Sequence, residues 1–140
     1  DIMCFADCTY VLGKGYYGDL SDCENIAQAS CYAFSSLKNY MYYAHGGDLY
    51  RVNLSQTPLT SELQFSLEGE DITLLKFNLY QKAENIQKSY DLVVGSVKDG
   101  SGVLRIYEGR ESDGDFSKVE PVVYDGFKEI VDVEYKERIY

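Results

Sequence analysis

Carboxylates are the most numerous side chains here that could carry out chemistry, and two close groups stand beside predicted strands, at 70–71 and 129–132. A glycosidase needs two carboxylates held at a defined separation. The sequence does not set that separation, and in a chain with 23 acidic residues a solvated acidic turn is the favoured interpretation of both groups. The loop 111–115, with Asp99, offers oxygen ligands for calcium but lacks the ligand spacing of an EF-hand. We therefore predict no metal site.

His45 is the single histidine, and a histidine can act as a general base near neutral pH. It directly precedes Gly46-Gly47 at a predicted hairpin turn, where an exposed residue without a catalytic role is the favoured interpretation. The glycine-rich stretch 13–18 has neither the order of a phosphate-binding loop nor the spacing of a dinucleotide-binding motif. The motifs of serine hydrolases and zinc proteases are also missing from the sequence. We expect no catalytic residue and no cofactor.

The four cysteines, Cys4, Cys8, Cys23 and Cys31, all fall within the first 31 residues. Their spacing matches no paired zinc knuckle. Free thiols that pack as small buried hydrophobes are the favoured interpretation, with Cys31 on a strand. One disulfide remains an alternative, and a zinc site is the least favoured.

Tyrosine is unusually common, with 14 residues, whereas tryptophan is absent. Tyrosines in alternating strand positions could stack on sugars, but packing between sheets is the more frequent role of such residues. We retain a small set of candidate ligand contacts, which combines three tyrosines with two polar turn residues: Tyr42, Tyr43, Tyr50, His45 and Asp71.

The elements that would position these residues are strands. Tyrosine, valine, isoleucine and phenylalanine suit a pleated, half-buried surface, and short alternating runs are divided by turn residues. Residues 21–34 open with a capping-box pattern, yet we favour a strand at 29–35. The other predicted strands are 39–44, 49–54, 62–67, 72–79, 90–97, 103–107, 119–124 and 130–136. Turns are predicted at 46–48, 98–102 and 125–126, and a polar, acidic loop at 108–118.

Pairs of segments resemble each other. GEDITLLKFNLY (69–80) resembles GFKEIVDVEYKE (126–137), with Ile72 placed on Ile130, and NYMYYAHGGDLYRVNL resembles YDLVVGSVKDGSGVLRIY, with 49–52 placed on 103–106. Each unit reads as four strands, which is the composition of a β-propeller blade. Chance similarity between antiparallel meanders is the alternative.

We therefore predict an all-β fold of antiparallel four-stranded repeats, a partial β-propeller of about two to three blades. Residues 1–25 would end a preceding blade or form an irregular segment. Two blade-like repeats would follow at 26–68 and 69–125, and 126–140 would begin a further blade. Because an open fan of blades exposes apolar faces, we expect a fragment of a longer chain, completed by further blades or by self-association.

The combination of the YYA-x-GG-x-LYR-x-NL hairpin, GEDIT-LLKF, DLVVGS…G-VLRIY and DGF-KEIVDVEYKE resembles the C-terminal end of a group of Bacteroidetes surface lipoproteins. These proteins carry PKD-like modules followed by a propeller. The resemblance covers roughly residues 30–138 and rests on pattern rather than on a catalytic signature. It implies a cell-envelope location and a glycan- or protein-binding role. None of the cysteines follows a signal peptide as the lipid-bearing cysteine of that group would, which again indicates a C-terminal fragment.

The strongly negative net charge disfavours nucleic acids and anionic membrane surfaces as partners. The formal net charge of −10 repels phosphate backbones and anionic lipid headgroups, and no apolar segment approaches the roughly 18–20 residues of a membrane helix. We expect a non-enzymatic binding or scaffold module of a bacterial cell envelope. The alternatives are part of a propeller-fold glycan hydrolase or lyase, and a small self-contained β-barrel that binds a ligand.

Overall fold

The computed structural model describes residues 2–4, 9–11, 19–35, 39–82, 87–109 and 114–133, with side chains described for 19–35, 39–78, 91–109 and 114–133. Within these ranges nearly all regular structure is β-strand, and Ile26–Gln28 forms one short 3₁₀ turn. The strands are β1 (Ile2–Cys4), β2 (Thr9–Val11), β3 (Cys31–Phe34), β4 (Tyr40–His45), β5 (Asp48–Asn53), β6 (Ser61–Ser66), β7 (Glu70–Lys82), β8 (Gln87–Lys98), β9 (Ser101–Glu108) and β10 (Val122–Phe127).

The strands form two four-stranded antiparallel sheets in which chain neighbours are also sheet neighbours. The first sheet has the order β3-β4-β5-β6 and the second the order β7-β8-β9-β10, while β1 pairs with β2. This confirms the prediction of an all-β fold with repeated antiparallel strands. Both sheets are open, with two edge strands each, so neither closes into a barrel.

The strand at the end of the predicted series differs from expectation. Residues 130–133 lie outside any strand, and 134–136 fall outside the described part of the chain. The strand predicted at 119–124 instead runs from Val122 to Phe127. Asp125-Gly126, which the sequence suggested as a turn, forms a β-bulge within that strand, because Gly126 takes a φ of +84° and the register to β9 shifts there.

The main core lies between the two sheets. β7 lies against β3, and alternate residues such as Leu92 and Val94 of β8 point towards the first sheet. Phe116, from the segment after β9, is 1% exposed and inserts among Tyr42, Phe77 and Tyr107, with ring centroids 5.7, 6.3 and 6.4 Å away. This segment therefore fills the space between the sheets like a wedge. The buried residues of this core are Tyr42, Ala44, Leu49, Ile72, Leu75, Leu92, Val94, Tyr107 and Phe116.

The opposite face of the first sheet is covered by the segment 19–30, which we call the cap. Its buried residues Leu20, Cys23 and Ile26 pack in a second cluster with residues of β4 and β5, including Tyr43 and Tyr50. The Tyr43 hydroxyl donates a hydrogen bond to the backbone oxygen of Glu24 (2.6 Å). The central strands β4 and β5 of the first sheet are thus buried on both faces, whereas Tyr32 and Leu63 on its edge strands remain exposed on the cap side.

The chain passes from the first sheet to the second across the turn between β4 and β5. The backbone N–H of Leu67 donates to the oxygen of Gly47 (2.8 Å), and that of Ile72 donates to the oxygen of Gly46 (2.7 Å). A Cβ atom on Gly47 would lie 2.0 Å from the Leu67 oxygen. This close approach of two backbone segments requires glycine.

A second crossing follows β10. A Cβ atom on Gly102 would lie 3.1 Å from the backbone of Glu129, and one on Gly95 would lie 3.3 Å from Cγ2 of Ile130. The segment 128–133 therefore crosses the face of the second sheet that points away from the first sheet, with Ile130 over the two glycines. Lys76 of β7 holds this segment through a hydrogen bond to the Val133 oxygen.

The strand register corrects one match within the proposed repeat. Asp48 and Ser101 each begin the second strand of a hairpin, so Arg51 corresponds to Leu104 and not to Arg105. Because side chains alternate between faces, a shift of one residue reverses the face. Arg51 and Arg105 accordingly both point into the space between the sheets, from opposite sides, and are not equivalent.

Candidate functional site: the outer face of the second sheet

The three tyrosines among the candidate ligand contacts are buried. Tyr42 points towards the second sheet, and its hydroxyl donates to the backbone oxygen of Gly114. Tyr43 and Tyr50 lie on the other face under the cap, stacked with ring centroids 5.1 Å apart. All three are at most 4% exposed, and their arrangement is that of packing residues.

The two polar candidates lie near the first crossing. His45 is half-buried at the end of β4 and pairs in register with Asp48, whereas Asp71 is exposed at the start of β7. No hydrogen bond or ion pair joins His45 to Asp71 among the described residues. The five candidates are therefore divided between both faces of the first sheet and one turn, and they do not form a common site.

Cys23 and Cys31 are free thiols, which confirms the free-thiol prediction for these two; the side chains of Cys4 and Cys8 lie outside the described part. Burial, together with the nearby Asp22 and Asp19 carboxylates, raises the pKa of the Cys23 thiol to about 11. Burial also raises the pKa of Cys31. Because the thiolate is the reactive form, both thiols are poor nucleophiles at neutral pH.

A buried ion pair within the second sheet, facing the first sheet, was not expected from the sequence. Arg105 of β9 makes a bidentate contact with Glu70 of β7, with N–O distances of 2.6 and 2.9 Å, and the Ser96 hydroxyl donates to the same carboxylate at 2.7 Å. Burial by itself raises the pKa of Glu70, but the hydrogen bonds from Arg105 and Ser96 outweigh it and hold the pKa below its ordinary value. Both carboxylate oxygens are engaged, so this pair is structural.

A second buried polar pair lies on the outer face of the second sheet. Asn78 of β7 stands directly opposite Asp91 of β8, and each is 8% exposed. The Asp91 carboxylate accepts a hydrogen bond from the Gly109 backbone N–H (3.3 Å). No side-chain hydrogen bond involving Asn78 is found in the described part of the chain. Burial raises the pKa of Asp91, and the nearby Glu108 adds to this effect, against the Gly109 hydrogen bond.

Asp91→Asn is expected to raise the melting temperature at about pH 7 by a few degrees, because the raised pKa means that ionised Asp91 destabilises the folded state. Protonation restores this loss, so the wild-type protein regains stability relative to the variant as pH falls through the folded-state pKa towards the unfolded one. Thermal melts of both proteins between about pH 4 and pH 7 measure the effect. Asp71→Asn, at the exposed start of β7, is the matched control, and an equal gain there would contradict the explanation.

Large apolar side chains are exposed on the same outer face. The pairs Val122–Ile106 and Tyr124–Leu104 place these residues on one side of the sheet, and Phe127 pairs with Gly102 on that side. Val122, Tyr124 and Phe127 are 56, 49 and 42% exposed. Leu104 and Ile106, which are half-buried, lie beside them on β9. We call these five apolar residues the β9–β10 patch: Leu104, Ile106, Val122, Tyr124 and Phe127.

The free edge of β10 is protected against strand addition. Pro121 stands directly before the strand, and the bulge at Asp125-Gly126 interrupts its pairing. Proline, bulges and charged side chains are devices that prevent edge-to-edge association of sheets. The exposed face of β10, rather than its backbone edge, is therefore the surface available for binding.

The described residues contain no group of three or more histidine, cysteine, aspartate or glutamate side chains that could hold a metal ion. They also contain no helix that is long and apolar enough to cross a membrane. Comparison with protein-family models, curated proteins and solved structures found no match to this chain. The β9–β10 patch is the feature of the described surface that best fits a binding role.

Proposed function

We propose that the chain is a non-enzymatic binding or scaffold module whose interaction surface is the β9–β10 patch. The observation that supports this proposal is the exposure of Val122, Tyr124 and Phe127 on one face of the second sheet. Contiguous apolar surface of this kind is typical of sites that bind other proteins. The protected edge of β10 directs that binding to side chains.

The proposal includes the stacking of four-stranded units in the manner of propeller blades. The two crossings support it: the chain leaves β6 over Gly47 to enter β7, and leaves β10 over Gly102 with Ile130 against the outer face. The second crossing thus resembles the first, by which the chain enters the second sheet. In a longer chain a further blade would continue this stack over the outer face, and in this chain by itself the same face is open to a partner.

The proposal also includes a cell-envelope location and an association with glycans, and both rest on the resemblance to Bacteroidetes surface lipoproteins. The alternative function, a share in a glycan hydrolase or lyase, requires two free carboxylates near each other. Glu70, a buried carboxylate that points into the space between the sheets, is fully engaged by Arg105 and Ser96. The geometry therefore favours binding over hydrolysis, and the open sheets favour stacking over a closed ligand-binding barrel.

Site-specific photocrosslinking tests the proposed surface. A photoreactive phenylalanine derivative placed at Val122 is expected to form crosslinked products in the cells that make the protein. The same probe at Leu63, an isolated apolar residue of β6 that is 51% exposed, is the control and should crosslink weakly. If position 122 gives no more product than position 63, the patch is not an interaction surface.

A further inference from the structure

We infer that the β9–β10 patch binds a second copy of the same chain, patch against patch, around a twofold axis. The inference rests on the proposed function, since it names the partner of the proposed surface. An isologous contact needs a surface that is complementary to itself. The following observations give the patch that property.

The first observation concerns the outer face of the first sheet, which lies at the opposite side of the molecule from the patch. A head-to-tail arrangement would place the patch of one copy on the outer face of the first sheet of the next copy. That face is already covered by the cap, whose Leu20, Cys23 and Ile26 fill the second cluster. The exposed apolar residues described on that face, Tyr32 and Leu63, lie on its two opposite edge strands, β3 and β6. They form no contiguous apolar surface, so the patch finds its apolar counterpart in the patch of another copy.

The second observation concerns charge. The five residues of the patch carry no charge, whereas Glu120 precedes β10 and Lys128 follows it, both exposed. In a twofold contact with the two β10 strands antiparallel, Glu120 of each copy approaches Lys128 of the other. These opposite charges favour the antiparallel orientation over the parallel one, which would bring Glu120 against Glu120.

The third observation concerns the mode of contact. Pro121 and the bulge at Asp125-Gly126 disfavour a continuous sheet through the β10 edges. Face-to-face packing over β9 and β10, beside the segment 128–133 that crosses the same face, requires only that side chains interdigitate, with about 10 Å between sheets. With a small apolar centre on each copy, we expect a weak dimer with a dissociation constant on the order of micromolar.

Light scattering coupled to size-exclusion chromatography, over a range of protein concentrations, tests the inference on the purified chain. The wild-type protein is expected to shift from monomer to dimer as concentration rises. Tyr124→Lys should weaken dimerisation by at least about tenfold, with an unchanged melting temperature because the side chain is half exposed. Leu63→Lys, which adds the same charge outside the patch, should leave the dimer unchanged.

A charge exchange distinguishes the twofold arrangement from non-specific association. Glu120→Lys should weaken the dimer because it places two lysines together, and the double variant E120K/K128E should restore it. A wild-type protein that stays monomeric at high concentration, or a dimer insensitive to Tyr124→Lys, would overturn the inference. If crosslinking at position 122 captures a different protein while the purified chain stays monomeric, the proposed function stands and the dimer is wrong.

Discussion

Phe116→Ala is expected to lower the free energy of unfolding by about 3–5 kcal/mol, the cost of removing a fully buried phenylalanine side chain. Phe116 lies between the two sheets, against Tyr42, Phe77 and Tyr107. Its backbone N–H also donates to the Gln64 side chain (2.9 Å), so the segment is tied to β6 and cannot easily move in to fill the cavity. Urea denaturation followed by circular dichroism measures the loss.

Phe127→Ala is the matched control, because this phenylalanine is 42% exposed on β10. At submicromolar concentration, where the chain is monomeric, its loss should be well below that of Phe116→Ala. Equal losses in the free energy of unfolding would mean that Phe116 does not stabilise the packing between the two sheets. Unfolding in two steps for Phe116→Ala would show instead that the sheets have become independent.

Arg105→Met is expected to cost about 3–5 kcal/mol, because it leaves the Glu70 carboxylate buried without its partner. The double variant E70L/R105M should recover much of this loss, since two apolar residues of similar size remove the buried charges together. Arg51→Met is the control. Arg51 is also mostly buried, but its partner Glu62 is largely exposed and stays hydrated without the arginine, so the lost ion pair should cost only about 1 kcal/mol.

Acid titration gives an independent measurement of the same ion pair. The pKa of Glu70 is lowered in the folded state, so its contribution is complete above the unfolded-state pKa and disappears as pH falls through the folded-state pKa. Arg105→Met should therefore lose less stability on acidification than the wild-type protein does. A steeper acid loss in Arg105→Met would contradict the assigned role of the pair.

Local sequence patterns predicted much of the secondary structure. Alternating residues around His45-Gly46-Gly47-Asp48 and around Asp99-Gly100 indicated two hairpins, and both are present. In the second turn Asp99 and Gly100 take φ values of +50° and +79°, which Asp-Gly accommodates in a type I′ turn. These features depend on neighbouring residues only.

Features that depend on residues far apart in the chain were missed. The sequence suggested a polar loop at 108–118, yet Phe116 within it is a core residue of both sheets. The ion pair joins residues 35 positions apart, Glu70 and Arg105, and nothing local to either one indicates the other. An apolar residue alone in a polar loop was the signal that could have identified Phe116 as a core residue.

The sequence by itself determined that this chain forms short antiparallel strands joined by glycine-containing turns, because strand alternation and turn geometry are properties of adjacent residues. Only the tertiary structure decided which faces are covered. Tyr42, Tyr43 and Tyr50 are buried because a sheet lies on one side of them and the cap on the other. Val122, Tyr124 and Phe127, equally apolar in sequence, remain exposed because β10 is an edge strand over which no other described element packs. Burial is a property of the surroundings, which strand periodicity does not specify.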